Sequence, residues 1–156
     1  MKIVSIDPGY GRCGIAVLSG NAVKQTCEFS DCIETQSGTD FTDRLLQICN
    51  FVADVIEKHD PDGLAIEKLF FNQNTTTAMK VAQVKGGIIL TAKAAGIAVY
   101  EYAPQEIKTA VTGYGKSPKE QMIQMVTQLV DVRGDAKHDD EYDAVAVGIT
   151  CLAHEG

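Results

Sequence analysis

The sequence predicts an α/β fold: one five-stranded mixed sheet flanked by helices on both faces. Three observations carry this. Apolar segments follow the order βββ-α-β-α-β-αα-α, and strands that alternate with long helical segments form parallel pairs that helices must cover. Two of the strands, 2–7 and 63–67, are apolar up to a terminal carboxylate, Asp7 and Glu67. Between them, Phe41, Leu45, Ile48, Val52, Val55 and Ile56 recur at spacings of three and four, the mark of a helix with one buried face.

The elements follow in order. Residues 2–7, 12–18 and 23–29 read as a meander of three strands with turns at Pro8-Gly9 and Gly20-Asn21. The first turn presents Asp7 at the mouth of the sheet. Ser30 to Gly38 reads as a polar loop. A helix spans about Asp40 to Lys58, and Asp60-Pro61-Asp62-Gly63 ends it before the fourth strand. A second long helix covers about Thr75 to Ala95, with Gly86-Gly87 inside it. Two glycines in mid-helix cost about 1 kcal/mol each against alanine, so close packing of another backbone is expected there. Ile97 to Tyr102 is the fifth strand, and Pro104 opens a short helix that ends near Gly113. Ser117-Pro118-Lys119-Glu120 predicts a capped helix start with Glu120 completing a capping box. The last helix begins near Asp139 and turns Ala144, Val147 and Ile149 inward. The 156 residues form a single domain, 1–156, with no repeat or linker.

No signal peptide and no apolar run of membrane-spanning length is read, so a cytoplasmic protein is expected. Cys13, Cys27, Cys32, Cys49 and Cys151 are scattered and form no C-x-x-C pair, which argues against zinc and for idle reduced thiols. The net charge of -7 argues against nucleic acid, but its distribution does not. From Lys68 to Lys119 seven lysines face two acidic residues, a balance of +5, and the remainder carries -12. A basic face on an acidic body suits a polyanion; lysines on solvated helix faces are the plainer alternative.

If strands 2–7 and 63–67 lie side by side and parallel, Asp7 and Glu67 meet at one sheet edge. Asp140 and Asp143 are three residues apart on the last helix, hence on one face. Four converging carboxylates repel one another and persist mainly where divalent cations neutralise them. Oxygen ligands without Cys or His suit Mg²⁺ or Mn²⁺, and a pair of such ions is a common device for phosphodiester hydrolysis. The acidic run 139–143 could instead simply favour the helix macrodipole. Glu67 is harder to explain that way, because glutamate is depleted in strands. Phe70 and Phe71 are core candidates, although one exposed ring beside a metal site could stack on a base.

These residues carry a resemblance. Ile6-Asp7-Pro8-Gly9 with Gly14, Ile66-Glu67-Lys68-Leu69-Phe70, Ala82-Gln83-Val84-Lys85-Gly86, Tyr102-Ala103-Pro104-Gln105-Glu106-Ile107-Lys108, Gly113-Tyr114-Gly115-Lys116-Ser117-Pro118-Lys119 and Asp140-Glu141-Tyr142-Asp143-Ala144 resemble, in order, segments of the RuvC family of Holliday-junction resolvases. The resemblance implies an RNase H-like fold. It also implies a Mg²⁺-dependent endonuclease (Mn²⁺ substituting) with two ions per active site, which resolves four-way junctions by paired symmetric nicks in recombination and repair. Asp7, Glu67, Asp140 and Asp143 would be the catalytic, metal-binding carboxylates. Phe70, Lys108, Lys116 and Lys119 would contact DNA. A homodimer through the helix around Thr75–Ala95 is implied, with close helix approach at Gly86-Gly87, as is a branch-migration helicase complex. His138 and Asp139 depart from the pattern; they could tune metal binding or be solvated loop residues. The competing readings are a YqgF-type RNA-processing nuclease of the same fold, a fragment of an actin-like or sugar-kinase ATPase, and a non-catalytic junction-binding protein.

Overall fold

The computed structural model describes residues 1–69, 75–132 and 138–156. Its elements are β1 (Lys2–Asp7), β2 (Arg12–Gly20), β3 (Gln25–Glu34), α1 (Phe41–His59), β4 (Gly63–Glu67), α2 (Thr75–Ala94), β5 (Ala98–Tyr102), α3 (Pro104–Thr112), α4 (Lys119–Leu129) and α5 (Asp139–Glu155). The sheet order is β3-β2-β1-β4-β5. The β1–β2 and β2–β3 pairs are antiparallel, while β1–β4 and β4–β5 are parallel. Ile6 sits opposite Ile66, so the two strands with terminal carboxylates lie side by side and parallel and end level with each other, which meets the condition for Asp7 and Glu67 to share one sheet edge.

Alternation along the central strands divides the core in two. Val4, Ile6, Leu64 and Ile66 pack against Ile48 and Val52 of α1 and Val84 and Ile88 of α2. Ile3 and Ala65 face the opposite way, into a core shared with α3, α4 and α5. By the same period of two, Asp7 and Glu67 project toward the α5 face. Every residue of α5 from Ala144 to Leu152 is buried, which fits a helix that is apolar around its circumference. A Cβ on Gly148 would stand 2.7 Å from Leu18 Cδ1 and 2.8 Å from Ser5 Oγ, so α5 lies close over β1 and β2.

Three expectations are corrected. The third strand runs to Glu34, so 30–34 is strand and not loop. Among the described residues only β2 pairs with it, and its mixed burial hides the apolar alternation by which strands are read. A register shift between Val17 and Leu18 places Glu28 as an extra residue on β3. Second, Ser117 does not cap α4: the cap is Pro118, without a side-chain bond. Ser117 is buried and donates instead to Tyr114 O at 2.7 Å, with its hydroxyl 2.5 Å from that of Thr112. Third, Gly87 is explained within the chain, because a Cβ there would meet Cys49 Sγ at 2.8 Å and Leu45 Cδ1 at 3.1 Å on α1. Gly86 faces open space. Among the described residues no helix is long and apolar enough to cross a membrane.

Candidate active site

Asp7 and Glu67 arrive at the site from the ends of neighbouring parallel strands, and Asp140 and Asp143 from the first turns of α5. The helix start is brought down by Gly14, which pairs with Asp7 across β1–β2. A Cβ on Gly14 would lie 2.0 Å from the carbonyl oxygen of Asp140. Only glycine allows the backbone of α5 to come this close to the strand.

The acidic run divides by task. Asp140 and Asp143 turn toward Asp7; Glu141 is buried and accepts from Ser30 Oγ on β3 at 3.1 Å. Asp139 stands exposed in the first helical turn, where a negative charge suits the positive end of the macrodipole. The macrodipole reading of this run therefore holds for Asp139 but not for the whole.

Electrostatically the cluster is short of positive charge. The pKa of Asp7 is raised to about 7, first by burial and then by Asp143, Glu67 and Asp140, against which Lys119 acts weakly. Glu67 is raised by burial and by Asp143, while Lys108, Lys85 and Lys119 oppose the rise. Asp143 is raised by burial and by Asp140 and Asp139, against its hydrogen bond from Lys119. Lys119 Nζ donates to Asp143 Oδ2 at 2.8 Å and lies 3.9 Å from Asp139 Oδ2. Burial works against the lysine's charge, yet these carboxylates raise its pKa overall. Asp140 Oδ2 is buried without a hydrogen-bond partner among the described residues. Arg12 Nε stands 3.2 Å from it, within ion-pair distance but not aligned as a donor.

This donor set fits a hard divalent cation. It is all oxygen, burial and mutual repulsion make Asp7, Glu67 and Asp143 hold their protons more tightly than usual, and it contains an orphaned carboxylate oxygen on Asp140. The cluster is open: among the described residues no three acidic, His or Cys side chains are drawn tightly enough together to grip one ion.

Beside the carboxylates lies a cleft of about 200 Å³ lined by Glu67, Lys108, Lys119 and Asp143 on its polar side and by Pro104, Ile107, Met122 and Ala146 on its apolar side. Lys108 and Lys119 thus sit at the site. Lys116 is exposed in the turn before α4 and does not line the cleft. Phe70 lies outside the described residues, as do Phe71, Arg133 and Lys137. Two further groups were not singled out from sequence. Lys85, buried on α2, pairs with Glu101 of β5 and contributes positive charge near Glu67. Arg12 and Glu34 meet across β2–β3 and reach Asp140 through a network taken up below.

The chain is similar to known proteins along nearly its whole length. The family model RuvC, crossover junction endodeoxyribonuclease, matches residues 3–151. A crossover junction endodeoxyribonuclease of Brevibacillus brevis is 40% identical over 150 residues, covering 96% of this chain and 90% of that protein. The corresponding protein of Moorella thermoacetica is 40% identical over 149 residues, covering 96% and 89%. Among solved structures, Thermus thermophilus RuvC matches with a TM-score of 0.88 at 27% identity, over 99% of this chain and 95% of that one. The same protein in complex with a Holliday junction substrate matches with a TM-score of 0.92 at 26% identity, over 99% and 94%.

Proposed function

The chain belongs to the RuvC family of crossover junction endodeoxyribonucleases, and on that premise we propose that it resolves four-way DNA junctions with Asp7, Glu67, Asp140 and Asp143 as its catalytic carboxylates. It is a structure-specific endodeoxyribonuclease with the RNase H-like fold, and it depends on divalent metal as its family does. The observation that supports the residue assignment most strongly is the convergence of four carboxylates from β1, β4 and α5 on a cleft that also holds two lysines.

The four carboxylates would hold two Mg²⁺ ions, with Mn²⁺ able to substitute. When bound, such ions supply the positive charge that activates the attacking water and stabilises the leaving 3′ oxygen. The chain's own residues do the rest. Lys108 and Lys119 line the cleft and bind the phosphate next to the scissile bond. Lys116 and Phe70 extend the DNA contact, the lysine to a phosphate and the ring to a base. Ile107, Met122 and Ala146 form an apolar wall that limits water at the polar side. Gly14 fixes the distance between Asp7 and the start of α5.

Residues 1–156 act as one nuclease domain, in the cytoplasm. Paired symmetric nicks require two active sites, hence a homodimer. The outward face of α2 supports one, with Met79 62% and Leu90 69% exposed and Gly86 bare between them. A branch-migration helicase is a further partner of this reading.

The test is a labelled synthetic four-way junction incubated with Mg²⁺ or with EDTA, beside linear duplex and RNA–DNA hybrid. Paired nicks on the junction alone, and only with metal, are expected. Cleavage of the hybrid instead would point to an RNA-processing nuclease, and junction binding without cleavage in either metal to a non-catalytic protein.

A further inference from the structure

Arg12 is the first residue of β2, and its cross-strand partner is Glu34, the last residue of β3. His138, the residue before α5, stands between them. Its Nε2 meets Glu34 Oε1, and its Nδ1 lies 3.4 Å from Arg12 Nη1. One tautomer satisfies both contacts: a proton on Nε2 donates to Glu34 and leaves Nδ1 to accept from Arg12. The other edge of the same guanidinium faces Asp140 Oδ2, from Nε at 3.2 Å. Glu34 and His138 therefore flank the side chain, Arg12, that comes within ion-pair distance of this carboxylate oxygen, which is buried and has no hydrogen-bond partner among the described residues.

A surface ion pair alone has little consequence. This one differs in where it ends. A carboxylate in a metal cluster must present its oxygens in a set direction, and groups behind the ligands that fix that direction alter metal affinity. The planar guanidinium suits this task, because it sets its charge against Asp140 on one side while another edge meets His138. From the register and these contacts we propose that Arg12 is a positioning residue that orients Asp140 toward the metal site, with His138 and Glu34 holding Arg12 in place. The inference rests on Asp140 being a metal ligand.

The test is Mn²⁺ binding by the full-length protein without DNA, with free Mn²⁺ followed by electron paramagnetic resonance. The expected result for Arg12→Gln is a ~3–10-fold higher Mn²⁺ concentration at half-occupancy, below the range for fully buried supporting groups because Arg12 is half exposed. Arg12→Lys keeps the charge but not the two-edged geometry, and should weaken binding nearly as much. Glu34→Gln and His138→Asn should shift it the same way. Melting temperatures in EDTA should stay within a few degrees of wild type, since exposed pairs contribute little to stability. Tighter binding by Arg12→Gln would mean that Arg12 competes with the metal, and wild-type binding by Arg12→Lys would mean that charge alone matters. Either overturns the proposal. So would unchanged Mn²⁺ binding with weaker junction affinity in EDTA, which would make Arg12 a DNA contact. Failure of the wild type to bind Mn²⁺ would instead overturn the metal-site reading beneath it.

Discussion

At the scale of single residues, the site is built from groups under electrostatic load. Asp7 holds its proton to about pH 7 in the folded, metal-free chain, against an ordinary value of 3.8. Between those values the folded state binds more protons than the unfolded one, so stability falls as pH rises through this window and levels off above it. The full shift corresponds to on the order of 4 kcal/mol. In EDTA, the melting temperature should therefore drop between pH 4 and pH 7, and Asp7→Asn should flatten the slope and melt higher at pH 8. A variant that melts lower than wild type at pH 8 would contradict this. Gly14 is the other residue on which the site depends. Gly14→Ala pushes a methyl group into the Asp140 carbonyl, and backbone has no rotamer with which to escape. A loss of about 3 kcal/mol in chemical denaturation is expected, together with loss of nicking; near-normal values for both would show that α5 can shift freely.

At the scale of elements, what could be read in the sequence depended on how local the signal was. Strands β1 and β4 are buried on both faces, so their apolar runs and terminal carboxylates are plain in the sequence, whereas their parallel pairing enters there only as a condition and is a long-range fact that the fold supplies. The three- and four-residue spacing of α1 and the glycine end of α3 were equally legible. Strand β3 was cut short because an edge strand carries a diluted apolar pattern. That lost segment is the one that brings Glu34 to Arg12. If Glu28 were paired rather than bulged, Arg12 would lie opposite Ile33 instead, and no spacing rule shows a bulge in advance. The capping signal at Ser117 loses to a tertiary role, tying the α3–α4 turn. Ser117→Ala leaves the Thr112 hydroxyl with one partner fewer in a buried spot. It should cost about 1–2 kcal/mol and lower nicking, because the same turn leads into Lys119. A stability loss with unchanged nicking would separate the turn from the site.

At the scale of the whole molecule, a chain of net charge -7 that acts on DNA carries a local excess of lysine between Lys68 and Lys119, which we propose as its DNA-facing charge. On the proposed assignment, Lys108, Lys116 and Lys119 would each contact a phosphate, six contacts for a homodimer, giving a slope of about -5.4 in log affinity against log salt, or roughly 1,800-fold weaker binding for a fourfold rise in salt. Junction affinity measured in EDTA across that range checks the number of contacts. A slope near zero would place DNA binding elsewhere on the protein. The acidic remainder of the chain lies outside the stretch that holds these lysines, so charge distribution rather than net charge governs the encounter.

Carboxylates from β1, β4 and α5 are proposed to form together a metal-dependent junction-cutting site. The most direct measurement compares Asp7→Asn with wild type on one labelled four-way junction, scoring nicking in Mg²⁺ and binding in EDTA from the same preparation. The account predicts that nicking disappears while binding stays near the wild-type level. Retained nicking by Asp7→Asn, with its fold and junction affinity intact, would contradict it.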